Sequence, residues 1–409
     1  MIKNYNNEIE QAYNALTVME EAQRCLLCLD APCSKACPAG TDPAKFIRSV
    51  RFLNFKGAAE TVRENNALGS VCARVCPTER YCQQGCSRCG IDKPINIGGI
   101  QRFVTDFEQQ TNMDILEKGE RNGMKVAVVG SGPAGLQAAA SLLSMGYDVD
   151  IYEKSAKAGG YLRYGIPEYR LPDYIVDYEI KRIEKLGANI KLNTTVGKDV
   201  SMDELKSKYN AVLVAIGASE AKMLPMFENN DAVETAVSFL ARAKENKGNI
   251  DLPDNILVIG GGDVAMDVVT TLKLLGVKNV TDVVYEEFCE FLASKKELEG
   301  AQALGVSIID GYVPEKVEGK TVTFKHRRIP GELKLTVDKI ILAVGQRTAD
   351  DTLGIKMVKN EVEFDGYNTG DNKVFVAGDI ARGDKTVVWA VRKGKEAALE
   401  IHNCLGGKK

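Results

Sequence analysis

The chain has 409 residues, of which 44% are hydrophobic and 27% charged, with a formal net charge of −3 and a pI near 5.8. That length predicts two or three domains, and the composition is that of an ordinary soluble protein. The balanced charge leaves no footprint for nucleic acid or an anionic membrane, no apolar run reaches membrane-span length, and the polar start (residues 1–10) has no leader character, so the expected compartment is the cytoplasm.

Residues 1–115 read as a cysteine-rich head. Nine of the eleven cysteines lie within the first 89 residues. Cys25, Cys28, Cys33 and Cys37 are spaced C-x2-C-x4-C-x3-C and are followed by Pro38. A second run holds Cys72, Cys76 (followed by Pro77), Cys82, Cys86 and Cys89. Helices are predicted to flank these positions over 10–28, 42–65 and 98–110. Structural disulfides are rare in the cytoplasm, so clustered thiols there point to metal or redox chemistry. A C-x2-C turn presents two thiolates together, and in two-cluster runs the cysteine before proline ligates the other cluster. Nine thiols, a repeated Cys-Pro and no nearby histidine fit iron–sulfur better than zinc or a disulfide framework. Cys289 and Cys404 stand alone and read as small hydrophobes.

The polar segment 111–123 ends in Asn-Gly and reads as a linker. A strand over 125–129, a turn at Gly130-Ser131-Gly132-Pro133-Ala134-Gly135, a helix over 136–145 and a strand over 147–152 follow. The G-x-G-x-x-G pattern carries meaning in this strand–helix context. Gly130 permits the turn, Gly132 lets backbone approach a pyrophosphate, and Gly135 lets the helix pack closely. The helix N-terminus meets the phosphates, and Glu153 is placed for a ribose 2′-hydroxyl. The pattern recurs with a strand over 255–259, a turn at Gly260-Gly261-Gly262-Asp263-Val264-Ala265, a helix over 266–275 and a strand over 280–285. Tyr285, Glu286 and Glu287 end that strand, without an arginine in the stretch to receive a 2′-phosphate, so NADH is expected over NADPH. The competing reading is an acid pair on a solvated loop.

Further on, the runs 212–217 and 340–345 resemble the crossover strands of two-dinucleotide flavoproteins. The stretch 374–379 (VFVAGD), with a helix over 386–400, resembles the element that closes their flavin domain. FAD is therefore expected at the first fingerprint and NAD(H) at the second. The expected fold is α/β: two Rossmann-like dinucleotide-binding domains (FAD and NAD) preceded by an α-helical domain holding two [4Fe–4S] clusters. The expected boundaries are 1–115 for the iron–sulfur domain, 124–222 with 346–409 for FAD, and 223–345 for the inserted NAD(H) domain. His326 and His402 are the two histidines, and neither has a catalytic context. Hydride transfer between nicotinamide and flavin needs positioning more than a general acid, so no catalytic side chain is assigned.

Eight stretches carry a closer likeness: CLLC at 25–28, APC at 31–33, FKGAAE at 55–60, NNALG at 65–69, CARVCPT at 72–78, PINIGGIQ at 94–101, GIPEYRLP at 165–172 and GGGDVAMD at 260–267. With these, the whole chain resembles the electron-input half of the dihydropyrimidine dehydrogenases, and more closely the separate NADH-oxidising FAD/iron–sulfur subunit of the bacterial two-subunit enzymes. The small subunit of glutamate synthase shares the architecture and is the second reading; residues 72–78, 94–101 and 170–172 favour the first. A zinc-stabilised assembly module with vestigial nucleotide sites is the third.

The resemblance implies one [4Fe–4S] cluster on Cys25, Cys28, Cys33 and Cys86. It implies a second on Cys37, Cys76, Cys82 and the side chain of Gln101. Cys72 is a non-ligand in that pattern and Cys89 has no counterpart, though either could replace Gln101. For FAD the pattern carries over to Gly130, Ser131, Gly132, Ala134, Gly135, Glu153, Gly160, Arg170, Val196, Gly378, Asp379 and Thr386. For NAD(H) it carries over to Gly260, Gly261, Gly262, Asp263, Val264, Glu286 and Gly345. Arg170 reads equally as a salt-bridge residue. The resemblance also implies a partner subunit carrying FMN and its own clusters, which reduces uracil or thymine reversibly and docks on the N-terminal head.

Overall fold

The computed structural model describes residues 5–218, 220–348, 353–358, 361–362 and 366–407. Six helices come first: α1 (Ala15–Gln23), α2 (Pro32–Ala36), α3 (Pro43–Arg51), α4 (Phe55–Asn65), α5 (Gly69–Val75) and α6 (Ile97–Gln110). Then follow β1 (Lys125–Val129), α7 (Pro133–Ser144), β2 (Asp148–Tyr152), α8 (Asp173–Leu186), β3 (Asn189–Lys191) and β4 (Ala211–Val214). The next stretch holds β5 (Val233–Thr235), α9 (Ala236–Glu245), β6 (Asn255–Ile259), α10 (Asp263–Leu274), β7 (Asn279–Val283), α11 (Lys295–Ala303) and β8 (Ser307–Ile309). It continues through β9 (Tyr312–Glu318), β10 (Thr321–His326), β11 (Glu332–Thr336) and β12 (Lys339–Leu342), before β13 (Val374–Val376) and α12 (Val387–Cys404). Among the described residues no helix is long and apolar enough to cross a membrane.

The chain divides into two compact units. The larger comprises Glu10–Arg163, Asp173–Ala218 and Thr348–Lys409, so the cysteine head and the first fingerprint share one unit. Its centre is a parallel sheet in the order β13-β4-β1-β2-β3. Val126 to Val129 and all of β4 are buried, as strands covered on both faces must be. In the head, Asn14, Asp42, Asn54 and Asn96 cap α1, α3, α4 and α6 through their side chains, satisfying backbone N–H groups that helix starts leave open. Val18, Phe46, Ile47, Val62, Ile100 and Val104 form the apolar centre of this bundle.

Two helices are shorter than the sequence pattern suggests. The one expected over 10–28 stops at Gln23, and Leu27 takes a left-handed φ of 54°, which turns the chain at the first cysteines. The one expected over 42–65 breaks where Leu53 has φ 60°, and Asn54 starts a new helix.

The smaller unit comprises Met1–Ile9, Tyr164–Pro172 and Ser219–Arg347. It holds a parallel sheet ordered β5-β12-β6-β7-β8 and an antiparallel sheet ordered β9-β10-β11. The GIPEYRLP stretch lies in this unit and is tied down by charge. Lys244 is buried and its Nζ donates to the carbonyls of Ile166 (2.8 Å) and Leu171 (3.0 Å). Arg170 pairs with Asp267 (2.6 Å) and Glu297 (3.3 Å), and the Tyr169 hydroxyl donates to the Asp267 carbonyl at 3.2 Å.

Asp282 sits in the middle of β7, level with Val258 and Ile308 on the neighbouring strands. It is fully buried, and neither carboxylate oxygen has a hydrogen-bond partner among the described residues. Burial pushes its carboxyl well above the usual carboxylate range. The folded chain therefore favours the neutral acid more than the unfolded chain does, and folding takes up protons where the two differ. The cost is absent below the unfolded pKa of about 3.9 and grows as pH rises above it. Asp282→Val is expected to stabilise the protein by about 1–3 kcal/mol. In urea unfolding at pH 5 and pH 8 the gain should be larger at pH 8; a variant less stable than the parent at pH 8 would contradict this account.

Candidate iron–sulfur and dinucleotide sites

The head cysteines fall into two groups. Cys25, Cys28, Cys33 and Cys86 line one cavity of about 360 Å3, measured with its open mouth. Its apolar walls include Ala31, Pro32, Ile47, Ile95 and Ile97. Burial lifts the Cys25 thiol and pushes Cys33 up to about 11, with Cys86 adding to both. The second group is Cys37, Cys72, Cys76 and Cys82. Burial raises Cys76 and Cys82 and pushes Cys72 up to about 12, and Cys37 bears on all three. Cys33 also bears on Cys82, so the groups adjoin. All eleven cysteines are free thiols, so the chain shows no disulfide framework. Among the described residues no three His, Cys, Asp or Glu side chains are grouped to hold a single metal ion. Thiols raised by burial become thiolates once iron supplies positive charge, and sulfur in an apolar cavity is the donor set that a four-iron cluster takes.

Gln101 is buried on α6, and its Nε2 donates to the Gly69 carbonyl at 2.8 Å. That places it beside the first turn of α5, the helix that carries Cys72 and ends at Cys76. Cys72 is buried within the second group. Cys89 is exposed, and its Sγ donates to the Gln83 carbonyl at 3.2 Å.

The first fingerprint shows why glycine is required there. Gly130 has φ +103°, and a Cβ on it would fall 2.5 Å from the Ala215 carbonyl oxygen; one on Gly135 would fall 2.1 Å from that of Gly130. Gly132 starts α7 without a side-chain cap and faces open space, and a Cβ on Gly160 would fall 2.8 Å from its Cα. This is an uncapped helix start with room for a diphosphate. Glu153 is buried and accepts from Ser131 N (3.0 Å), Ser131 Oγ (2.5 Å) and Ser155 N (2.8 Å). A carboxylate has about four acceptor positions, so one remains for a ribose hydroxyl. Ala134 touches the turn at Gly378, where a Cβ would stand 3.1 Å from its own, and α12 packs on α7 at Gly394. Burial raises the Asp379 carboxyl, opposed by Lys393 and Lys385. Thr386 starts α12 without a side-chain cap, and Val196 is buried in the apolar core with Val129 and Tyr152.

Two contacts connect α12 to the head. The Tyr81 hydroxyl donates to Asp384 (2.5 Å) and lies 3.4 Å from Thr386 Oγ1. Lys395 Nζ donates to the carbonyls of Ala39 (2.8 Å) and Asn65 (3.2 Å). Tyr81 precedes Cys82, and Ala39 closely follows Cys37, so α12 is anchored on the second thiol group. Tyr81 and Lys395 carry no sequence signal, because their partners lie more than 300 positions away.

At the second fingerprint, Gly262 starts α10 uncapped and faces open space. Asp263 Oδ1 accepts from Ser294 N at 2.6 Å, and Gly260 N donates to the Val283 carbonyl at 3.1 Å. Val264 packs on the core of this unit, and the Gly345 carbonyl accepts from Lys222 N at 3.0 Å. Strand β7 ends at Val283, two residues short of the expected end. In matching register, Val284 takes the place that Glu153 has in the first fingerprint. The acid comes instead from Glu286: a Cβ on Gly261 would fall 2.6 Å from its Oε2. Arg170 is paired with Asp267 and Glu297, the salt-bridge role that the sequence left open, and its Nε has no hydrogen-bond partner among the described residues.

An uncapped glycine turn on a parallel sheet in each unit, with two groups of thiols in the larger one, defines a flavin- and nicotinamide-dependent oxidoreductase with an iron–sulfur head. Residues 124–394 match the pyridine nucleotide-disulphide oxidoreductase family, and residues 1–113 match the dihydropyrimidine dehydrogenase domain II, 4Fe-4S cluster family. The chain is 58% identical to the NAD-dependent dihydropyrimidine dehydrogenase subunit PreT of Escherichia coli O157:H7, over 99% of this chain and 98% of that protein. It is 30% identical to the glutamate synthase [NADPH] small chain of Escherichia coli K12, over 97% and 93%. Among solved structures, Mycobacterium tuberculosis FprA in complex with NADPH has a TM-score of 0.60 at 18% identity, covering 69% of this chain and 84% of that one. Lactococcus lactis thioredoxin reductase has a TM-score of 0.55 at 21% identity, covering 69% and 99%. The chain belongs to the PreT family of NAD-dependent dihydropyrimidine dehydrogenase subunits, with the glutamate synthase small chain a more distant relative. Its cofactors are FAD, NAD(H) and two [4Fe–4S] clusters.

Because the thiols form two groups, Cys86→Ser and Cys76→Ser are each expected to lower iron and acid-labile sulfide to about half of the parent content, with four irons per cluster. Cys89→Ser should leave the content at the parent level. Loss of all iron in either of the first two variants would contradict separate groups.

Proposed function

We propose that this chain is the NADH-oxidising electron-input subunit of a dihydropyrimidine dehydrogenase, working in the cytoplasm with an FMN-containing partner that reversibly reduces uracil or thymine to the 5,6-dihydropyrimidine. The observation that carries the reading is 58% identity to a PreT subunit along the whole chain. When bound, FAD takes a hydride from NADH and releases single electrons, which the clusters relay.

The residues have the following roles in this reading. Cys25, Cys28, Cys33 and Cys86 hold the first cluster. Cys37, Cys76 and Cys82 hold the second, with the Oε1 of Gln101 as fourth donor, since its Nε2 is engaged by Gly69. The glycine turn at Gly130 to Gly135, with Glu153, Gly160, Val196, Gly378, Asp379 and Thr386, holds FAD. The turn at Gly260 to Val264, with Glu286 and Gly345, holds NAD(H). The domain limits follow these roles: 1–115, 124–222 with 346–409, and 223–345.

The anchoring of α12 on the second thiol group supports a reading in which Cys37, Cys76 and Cys82 would hold the cluster on the flavin side, and Cys25, Cys28, Cys33 and Cys86 the one on the exit side. Around the exit the surface is apolar: Leu26, Leu29, Phe52, Leu53 and Ile91 are all exposed. Arg51 Nη1 donates to the Cys25 carbonyl (3.1 Å) and Arg88 Nη1 to that of Arg24 (2.8 Å), which gathers these residues at one rim. We assign this rim to the partner subunit; exposed apolar clusters mark interaction surfaces.

The decisive assay is anaerobic. The chain is isolated with its co-purifying partner, and NADH oxidation is followed with and without uracil. Oxidation that requires both uracil and the partner supports the reading. Flavin reduction by NADH with no response to uracil would overturn the pyrimidine assignment in favour of another acceptor, such as that of a glutamate synthase. Leu29→Asp is expected to lower the uracil-dependent rate by about tenfold while affecting ferricyanide reduction far less; an equal fall in both would place Leu29 outside the docking rim.

A further inference from the structure

The smaller unit brings two arginines to the end of β7 from a distant part of the chain. The β10–β11 hairpin carries Arg327 and Arg328. The Arg327 guanidinium lies 4.0 Å over the Tyr285 ring. Its Nη1 donates to the Tyr285 carbonyl (3.1 Å) and to Glu290 Oε2 (3.0 Å). Arg328 forms an ion pair with Glu287 (Nη1 to Oε2, 2.9 Å) and donates through Nη2 to Glu290 Oε1 (2.8 Å). The hairpin end is held in shape: His326 Nδ1 accepts from Arg328 N (3.1 Å) and Ile329 N (3.2 Å), and Arg327 N donates to the Gly311 carbonyl (2.8 Å). On the other side of the same corner stands Glu286, against Gly261 of the fingerprint turn.

We propose that this network sets the choice of nicotinamide nucleotide: Glu287 and Glu290 occupy two arginines that would otherwise bind a ribose 2′-phosphate. The inference rests on the reading that the second fingerprint binds NAD(H). The adenosine ribose of a dinucleotide lies at the end of the strand that follows the glycine-turn helix, which here is β7. A 2′-hydroxyl there is received by a carboxylate; a 2′-phosphate needs cations, best supplied as arginine forks. The two arginines stand among the carboxylates of Glu286, Glu287 and Glu290, with Asp310 bound to Phe288 N (2.8 Å) close by, so a phosphate meets repulsion and finds both forks engaged. The pairs are partly exposed, with Arg328 at 56% and Glu290 at 39%, and exposed pairs are weak. With the carboxylates neutralised, the arginines become free to bind phosphate. The chain therefore carries a latent 2′-phosphate site, silenced by two glutamates that lie outside the fingerprint.

The test uses the full chain with its cofactors and the variant Glu287→Gln/Glu290→Gln. Flavin reduction is followed by stopped flow with NADH and with NADPH, and binding of 2′,5′-ADP is measured by calorimetry as a readout independent of the flavin. The ratio of NADPH to NADH efficiency is expected to rise by about tenfold or more, and 2′,5′-ADP to bind more tightly, with the gain shrinking at high salt as screening requires. Adding Arg327→Ala and Arg328→Ala should abolish the gain. An unchanged ratio in the double variant, or a gain that survives loss of both arginines, overturns the proposal while leaving NADH oxidation by the parent intact. A parent whose flavin NADH does not reduce overturns the underlying reading and the proposal with it. Glu290→Gln alone removes the carboxylate charge that both arginines face and one of its two acceptor oxygens, and gives a smaller rise in the same direction, so the proposal remains falsifiable if the double variant folds poorly.

Discussion

Arg63 is the point on which the geometry of the larger unit depends. Its guanidinium has no contact with water, and it sits among two carboxylates and a second arginine. It reaches Glu108 on α6 (2.7 Å), Glu179 on α8 (2.8 Å), the Ala67 carbonyl (2.7 Å) and Ser70 Oγ (3.1 Å). Arg182 reaches both Glu108 and Glu179 at 2.9 Å, and Ser70 N donates to Glu179 at 2.8 Å. The four charges cancel and Arg63, Glu108 and Glu179 are hydrogen-bonded within the network, which is the condition under which buried ions are tolerated. Burial alone would raise the Glu179 carboxyl, but Arg63 and Arg182 hold it below its usual range. Removing any one member leaves an uncompensated charge, a loss of about 3–5 kcal/mol. The network joins α4 and α6 of the head to α8 beside the nucleotide sheet, and it fixes the start of α5. Since α5 leads directly to Cys72 and Cys76, the position of the second thiol group relative to the first fingerprint is set here.

The two fingerprints solve the same problem with different chemistry. In the first, the acid stands directly after the strand and is largely consumed in holding its own turn, through Ser131 and Ser155. In the second, valine takes that place and the acid reaches back from two residues further on. A carboxylate locked into the turn defines a rigid site suited to a resident group. A carboxylate on the following loop, surrounded by further charges, defines a site whose selectivity is tunable. The difference agrees with FAD as the resident cofactor and NAD(H) as the exchanging one.

Much of this was legible in the amino-acid order, because glycine turns, Cys-Pro pairs and alternating strand–helix runs are local patterns with local causes. Cys25, Cys28, Cys33 and Cys86, which the family likeness groups, line one cavity. What could not be read were the features made by chain crossings. Leu27 and Leu53 take left-handed conformations that no propensity predicts for leucine, and each turns the chain away from a helix that the pattern would continue. Arg170 stands in a stretch suggestive of the flavin site, yet its partners Asp267 and Glu297 lie about a hundred residues on. Arg327 and Arg328 look like an ordinary surface hairpin until β10 and β11 pair and deliver them to Tyr285.

Electron transfer makes few demands on acid–base chemistry and strict demands on position, and the titratable groups near α12 are used accordingly. Lys393 is buried and donates to the carbonyls of Gly378, Ala381 and Asp384, so an ammonium group serves as a strut for the turn before the helix. Lys395 does the same for the loop after Cys37, and burial holds its ammonium below the usual range. Tyr81 completes the brace from the side of Cys82, its hydroxyl pushed up to about 12 by burial and by the acceptor Asp384. None of these groups needs to change its proton to do this work. The connection from nucleotide turn to second thiol group is thus made of short bonds within one compact unit and is fixed once the chain folds. The rim around the first cysteines is different in kind: leucine, phenylalanine and isoleucine side chains stand in solvent with no bond to direct them. On the proposed reading, coupling inside the chain is constant, and what can vary is the contact made at that rim.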